Sequence, residues 1–114
     1  MSSGGWIGVD LDGTLAVYNG WVGPEHIGEP ISKMLERVKF WIEKGYTVKI
    51  FTARCVVPEQ VPPIEQWLEK HGIGGLEITN VKDFGMIELW DDRCVRVVTN
   101  SGQPCCMNKY TEII

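Results

Sequence analysis

The stretch WIGVDLDGTL, Trp6 to Leu15, decides how the rest of the chain is read. Trp6 to Val9 is a short apolar run, the pattern of a strand buried on both faces. The run ends at Asp10. Asp12 follows two positions later, and Gly13 permits a sharp turn directly behind the two acids. A calcium loop of the EF-hand kind needs glycine at its sixth position and glutamate at its twelfth. Those positions are Leu15 and Trp21, which excludes it. Two readings remain: a carboxylate pair presented at the end of a buried strand, or a plain turn rich in Asp and Gly.

Downstream, Leu15 to Gly28 is glycine-rich with little helical periodicity, the signature of a loop or small hairpin. Pro30 then opens a helix at the first-turn position that tolerates proline. Ile31, Met34, Leu35, Val38, Trp41 and Ile42 recur at helical spacing, and Gly45 is the natural stop. Tyr46 to Phe51 is rich in β-branched and aromatic residues, reads as a second strand and ends at Thr52. Past Pro58, Pro62 and Pro63 a second helix carries Ile64, Trp67 and Leu68 inward and closes at Gly72. Leu76–Thr79 and Met86–Trp90 read as third and fourth strands, the latter running into Asp91 and Asp92. Val95–Val98 reads as a fifth. The tail from Asn100 has no assignment.

Strands that alternate with helices imply parallel pairing and right-handed crossovers. The expected fold is a single α/β domain over residues 1–114, a three-layer α/β/α sandwich around a mainly parallel, Rossmann-like sheet of about five strands. Such sheets bind ligands at the carboxyl ends of their strands. Asp10, Thr52 and the Asp91/Asp92 pair each stand at such an end.

Four signals therefore occur in order: Asp10-Leu11-Asp12-Gly13-Thr14-Leu15, then Ile50-Phe51-Thr52, then Lys82, then Asp91-Asp92-Arg93. Singly, the second and third are ordinary, since strands often end in threonine and a lone lysine is usually surface, whereas two acids directly after a buried strand are costly unless a cation neutralises them. Together they resemble the motifs of the haloacid dehalogenase (HAD) phosphohydrolases, over Val9 to Arg93. Receiver domains of two-component signalling also use an aspartyl phosphate. Their acid pair comes first and their phosphorylated aspartate on a later strand, the reverse of the order found.

The resemblance implies roles. Asp10 would be the nucleophile that forms a phosphoaspartate. Asp12 would protonate the leaving oxygen and then activate water, and its backbone carbonyl would bind the metal. Thr52, through its hydroxyl and backbone N–H, would hold the transferring phosphoryl group. Lys82 would neutralise nucleophile and phosphate. Asp91 and Asp92 would complete a magnesium site with Asp10, with Asp92 the direct ligand and Asp91 acting through water or Lys82. Gly13, Thr14, Trp21, Ala53, Arg54 and Arg93 are candidate substrate-binding residues. Arg54 could grip a second phosphate bidentately, or form a surface salt bridge.

Charge arithmetic asks for the cation independently. Four carboxylates and one lysine must admit a phosphate dianion. At ~4 Å and an effective dielectric near 20, each like-charge pair costs about 4 kcal/mol. Oxygen ligands and phosphate chemistry select Mg²⁺.

The loops have no room for a cap domain, so the site should be open. Tyr18, Trp21 and His26 lie on the loop that would overhang it. Trp21 could stack on a nucleobase or anchor the loop, Tyr18 reads as an anchor, and His26 as a local cap. His71 suits a helix end. Trp41, Trp67 and Trp90 read as packing. Thr52-Ala53-Arg54 and Asp91-Asp92-Arg93 resemble nucleotidases and the phosphatase module of polynucleotide kinases, a resemblance that implies a nucleotide or a nucleic-acid 3′ end as substrate; the negative net charge favours a nucleotide or another small phosphate ester over a long polyanion. The expected activity is a phosphomonoesterase. The alternatives are a phosphotransferase using the same intermediate, and a non-catalytic binding or regulatory module on the same fold.

Composition sets the outer bounds. The chain has 114 residues, a net charge of −4 and 23% charged residues, an ordinary soluble balance. No Lys/Arg cluster stands out, which argues against long nucleic acid as a partner. No apolar run approaches the ~20 residues of a membrane span, and Met1 to Gly5 lacks the regions of a signal peptide, so a cytoplasmic protein is expected, monomeric or oligomeric. Cys55, Cys94, Cys105 and Cys106 form no CxxC pair, and reduced thiols are the expectation.

Overall fold

The computed structural model describes residues 4–106. Met1 to Ser3, part of the stretch read for a leader, and residues 107–114 of the unassigned tail lie outside them. Strands β1 (Trp6–Val9), β2 (Thr47–Phe51), β3 (Glu77–Thr79) and β4 (Met86–Trp90) alternate with helices α1 (Ser32–Glu43) and α2 (Val61–Lys70). The strands form one parallel sheet in the order β3-β2-β1-β4. β1 lies between two neighbours, and all four of its residues are buried, which is why its sequence is continuously apolar rather than alternating.

The connections β1-α1-β2 and β2-α2-β3 advance the same way along the sheet. Right-handed crossovers in one direction put both helices on one face. Ile7 and Val9 of β1, Val48 and Ile50 of β2, Met34 and Val38 of α1, and Ile64, Trp67 and Leu68 of α2 accordingly share one apolar core. Trp41 and Trp90 extend it, edge to face at 5.1 Å. Trp6 lies on the other face, against Phe51 and under the Lys49 ammonium.

The expected third layer is absent among the described residues. Such a layer needs a helical crossover running back across the sheet, and only residues 80–85 join β3 to β4. Asp83 and Gly85 hold that link at the far end of β1. Trp6 Nε1 donates to Asp83 Oδ1 at 2.8 Å, and the Trp6 N–H donates to the Gly85 carbonyl at 2.8 Å.

The fifth strand is also corrected. Val95–Val98 joins no sheet and instead folds against residues 103–105. The Val98 N–H donates to the Gln103 carbonyl and the Cys105 N–H to the Arg96 carbonyl, both at 2.8 Å. Only four residues separate Trp90 from Val95, whereas a parallel neighbour needs a crossover of a dozen or more.

Pro30 precedes α1 rather than opening it. It bridges Ala16 in antiparallel fashion, with the Val17 N–H donating to the Glu29 carbonyl and the Ile31 N–H to the Leu15 carbonyl. Proline suits this place because it needs no donor there. Both helices end where expected, at Gly45 and Gly72, which take positive φ of 92° and 82°. Among the described residues no helix is long and apolar enough to cross a membrane.

Candidate active site

Parallel register brings the four strand ends to one edge. Val9 pairs with both Ile50 and Trp90, and Phe51 pairs with Thr79. Asp10, Thr52, Asn80 and Asp91, the first or second residues beyond these pairs, line a cleft of about 630 Å³. Its other walls include Asp12, Asp92, Arg54, Arg93, Tyr18 and Trp21.

Alternation along the first loop aims the acids. Leu11 is fully buried beneath the sheet edge, as is Leu15, so the flanking Asp10 and Asp12 face the cleft. The Asp10 N–H donates to the Trp90 carbonyl at 2.9 Å. The Leu15 and Ala16 N–H groups both donate to the Leu11 carbonyl, which closes the turn.

Asp10, Asp91 and Asp92 each offer a carboxylate oxygen, and the three atoms lie within 4.8 Å of one another. Asp10 and Asp91 are half-buried and Asp92 is exposed. Burial pushes the Asp10 carboxyl up from 3.8 to about 7, helped by the charge of Asp91, a hydrogen bond that the protonated carboxyl donates to Asp92, and the charges of Asp92 and Asp12. Three carboxylates this close, one of them driven toward its neutral form, are an electrostatic vacancy that a hard cation fits.

Gly13 and Thr14 stand against Asp92. Thr14 Oγ1 donates to Asp92 Oδ1 at 3.1 Å and accepts the Asp92 N–H at 2.9 Å. A Cβ on Gly13 would lie 2.5 Å from Asp92 Oδ2, and its φ of +93° also favours glycine. Asp91 Oδ1 accepts the Arg93 N–H at 2.7 Å. The loops after β1 and β4 are therefore tied together around the acids.

Thr52 is buried, and its N–H donates to the Thr79 carbonyl at 2.9 Å. Its hydroxyl oxygen accepts the Arg54 N–H at 3.2 Å, which leaves the hydroxyl hydrogen available. Ala53 begins a short 3₁₀ turn, Ala53–Val56, on the cleft wall.

Arg54 points inward. Its Nε donates to Asp12 Oδ2 at 2.8 Å and its Nη2 to Asp12 Oδ1 at 2.9 Å. Its Nη1 reaches the Pro24 carbonyl at 3.1 Å and Nη2 the His26 carbonyl at 2.9 Å. Trp21 lies over the guanidinium at 4.9 Å, with half its surface still exposed. Arg93 is exposed on the opposite rim and pairs with no carboxylate among the described residues.

Lys82 does not line the cleft. It is exposed in the link between β3 and β4. Burial, then Asp91, Asp10 and Asp92, push the Cys94 thiol up while Lys82 opposes them, which puts Lys82 within electrostatic range of Cys94; it makes no ion pair with the acids among the described residues.

The sequence reading did not single out Asn80, Phe51, Val56 or Gln60, all on the cleft wall. Asn80 was detectable, because it follows β3 as Asp10 follows β1. Tyr18, read as an anchor, also faces the cleft. His71 caps α2, its ring 4.5 Å from that of Trp67.

Compared with known proteins, the chain matches no family model, no curated protein and no solved structure. Fold and site define a small α/β domain whose parallel sheet gathers three carboxylates, a buried threonine and an arginine-bound aspartate at its carboxyl edge.

Proposed function

We propose that the chain is a magnesium-dependent phosphomonoesterase of the HAD type, working through a phosphoaspartate on Asp10. The observation that carries this reading is the convergence of Asp10, Asp12, Thr52, Asp91 and Asp92 on one cleft, from loops up to 82 residues apart in sequence.

Asp10, Asp91 and Asp92 would hold Mg²⁺, with Asp92 fixed by Thr14. When bound, the ion supplies positive charge that lets a phosphate dianion enter and polarises its oxygens. An Asp10 carboxylate oxygen then attacks phosphorus as the ester P–O bond breaks, and the bonding pair leaves on the alkoxide oxygen. Asp12 gives that oxygen its proton. In the second half, water attacks phosphorus, Asp12 takes the water proton, and the Asp10–phosphorus bond breaks to release inorganic phosphate. Arg54 occupies two of about four acceptor positions on the Asp12 carboxylate, so others remain for that proton. The Thr52 hydroxyl is placed to donate to a phosphoryl oxygen.

A cleft of about 630 Å³ suits a small ester. Tyr18 and Trp21 offer aromatic surface and Arg93 a free cation, a combination that favours a nucleotide or a similar planar phosphate ester. The test is a screen of phosphomonoesters with Mg²⁺, with and without EDTA, beside Asp10→Asn. Phosphate release that both EDTA and the substitution abolish is the expected result. Release by Asp10→Asn at the parent rate would refute nucleophilic catalysis by Asp10.

A further inference from the structure

A buried guanidinium is costly unless its donors are matched. The Arg54 side chain is 6% exposed, and four of its five N–H groups have partners: two on Asp12, one on Pro24 and one on His26. No buried side-chain nitrogen or oxygen among the described residues is left unsatisfied. These partners come from two places. Asp12 belongs to the loop after β1, while Pro24 and His26 lie on the long connection that also carries Trp21 across the cleft. Residues 18–29 hold no helix or strand of their own, so their position depends on such tethers. Others are Trp67, whose Nε1 donates to the Gly28 carbonyl at 2.9 Å, the Val17 N–H, which donates to the Glu29 carbonyl at 2.9 Å, and Ile27, which packs against the core.

We infer that Arg54 is a positioning residue that locks the Asp12 carboxylate and, with the same guanidinium, fastens the Trp21 loop over the cleft. Four of its five N–H donors face the protein, so Arg54 cannot grip a substrate phosphate bidentately while these bonds hold. One planar fork does both tasks. A lysine has a single nitrogen and cannot span two carboxylate oxygens and two carbonyls. The part concerning Asp12 in turnover rests on the proposed phosphatase reading, whereas the loop tether does not.

Two readouts on the full chain separate the two parts. Chymotrypsin cleavage after Tyr18 and Trp21, followed by mass spectrometry on folded protein, reads the tether without any activity. Arg54→Ala and Arg54→Lys are each expected to be cut about tenfold faster or more, since cleavage tracks the open population. If Arg54→Ala does not fold, Arg54→Lys decides the question. The second readout is steady-state hydrolysis of p-nitrophenyl phosphate with Mg²⁺. Both variants are expected to lose kcat about tenfold or more with KM changed far less. Guanidinium ion at a sub-denaturing concentration is expected to restore Arg54→Ala and not Arg54→Lys. Cleavage at the parent rate overturns the tether, and a loss confined to KM overturns the positioning of Asp12 in favour of substrate binding.

Discussion

Thr14 and Asp92 lie 78 residues apart and exchange two hydrogen bonds: the threonine hydroxyl donates to the carboxylate at 3.1 Å and accepts the aspartate N–H at 2.9 Å. One side chain thereby sets both the backbone and the carboxylate of an acid that faces Asp10. A hydroxyl can do this because it donates and accepts at once. Removing it frees Asp92 without removing any charge. Thr14→Ala is expected to weaken Mg²⁺ binding about tenfold, in the range reported for partners that orient metal ligands. Thr14→Ser should stay near the parent. Calorimetric titration with Mg²⁺ makes the comparison.

Gly13 gives a sharper version of the same test. Any side chain there meets the Asp92 carboxylate and must also adopt a positive φ. Gly13→Ala should lose more Mg²⁺ affinity than Thr14→Ala and also lower the melting temperature of the cation-free protein. A substitution at Gly20, where added bulk meets nothing within 4 Å, serves as the control for loop glycines.

Proton and cation compete for Asp10. Its carboxyl is raised from 3.8 to about 7, so the folded chain holds a proton there between those values that the unfolded chain has released. Two consequences follow from the sign. Without cation, the Asp10 contribution to stability is largest below pH 4 and is lost as pH rises toward 7. Mg²⁺ must displace that proton, so its affinity should rise up to about tenfold per pH unit below 7 and level off above it. Titrations from pH 5.5 to 8.5 test this, and Asp10→Asn should flatten the slope.

Among the described residues, Arg93 is the cleft-lining cation left free by the geometry, since Arg54 faces inward. Arg93→Ala is expected to lower kcat/KM by about ten- to a hundredfold, the range of one charge-assisted hydrogen bond of 1.5–3 kcal/mol. The loss should appear mainly in KM, which sets it apart from the kcat loss expected at Arg54.

Leu68 is 1% exposed in the core beneath the sheet. Leu68→Ala should cost about 2–5 kcal/mol of stability. It does not line the cleft, so Mg²⁺ affinity at a temperature where the variant remains folded should change little. Urea unfolding and titration of the same sample check both halves.

Much of this architecture is written in local pattern. The all-apolar Trp6–Val9 and the mostly apolar Met86–Trp90, interrupted by Glu88, announce strands, the first central and buried on both faces. The acids and Thr52 could be placed because each directly follows such a strand. What the local pattern misses is set by chain length and by distant partners. Val95–Val98 has strand-like residues, but four intervening residues cannot cross a parallel sheet. The third layer fails for the same reason, since the link at 80–85 is too short for a helix. Arg54 looks outward in sequence because its neighbours Thr52 and Ala53 line a cleft. Only the folded loop reveals that Asp12, Pro24 and His26 surround it. The Thr14–Asp92 pair was equally hidden, because nothing near either residue names the other.

The central claim is a covalent bond between Asp10 and phosphorus. It is tested most directly by acid-quenching the protein during turnover of a phosphomonoester with Mg²⁺ and mapping the modified peptide by mass spectrometry. The account predicts one phosphoryl group on the peptide containing Asp10, removable by hydroxylamine and missing from Asp10→Asn. Turnover that proceeds with no phosphoryl group on that peptide at any quench time would contradict it.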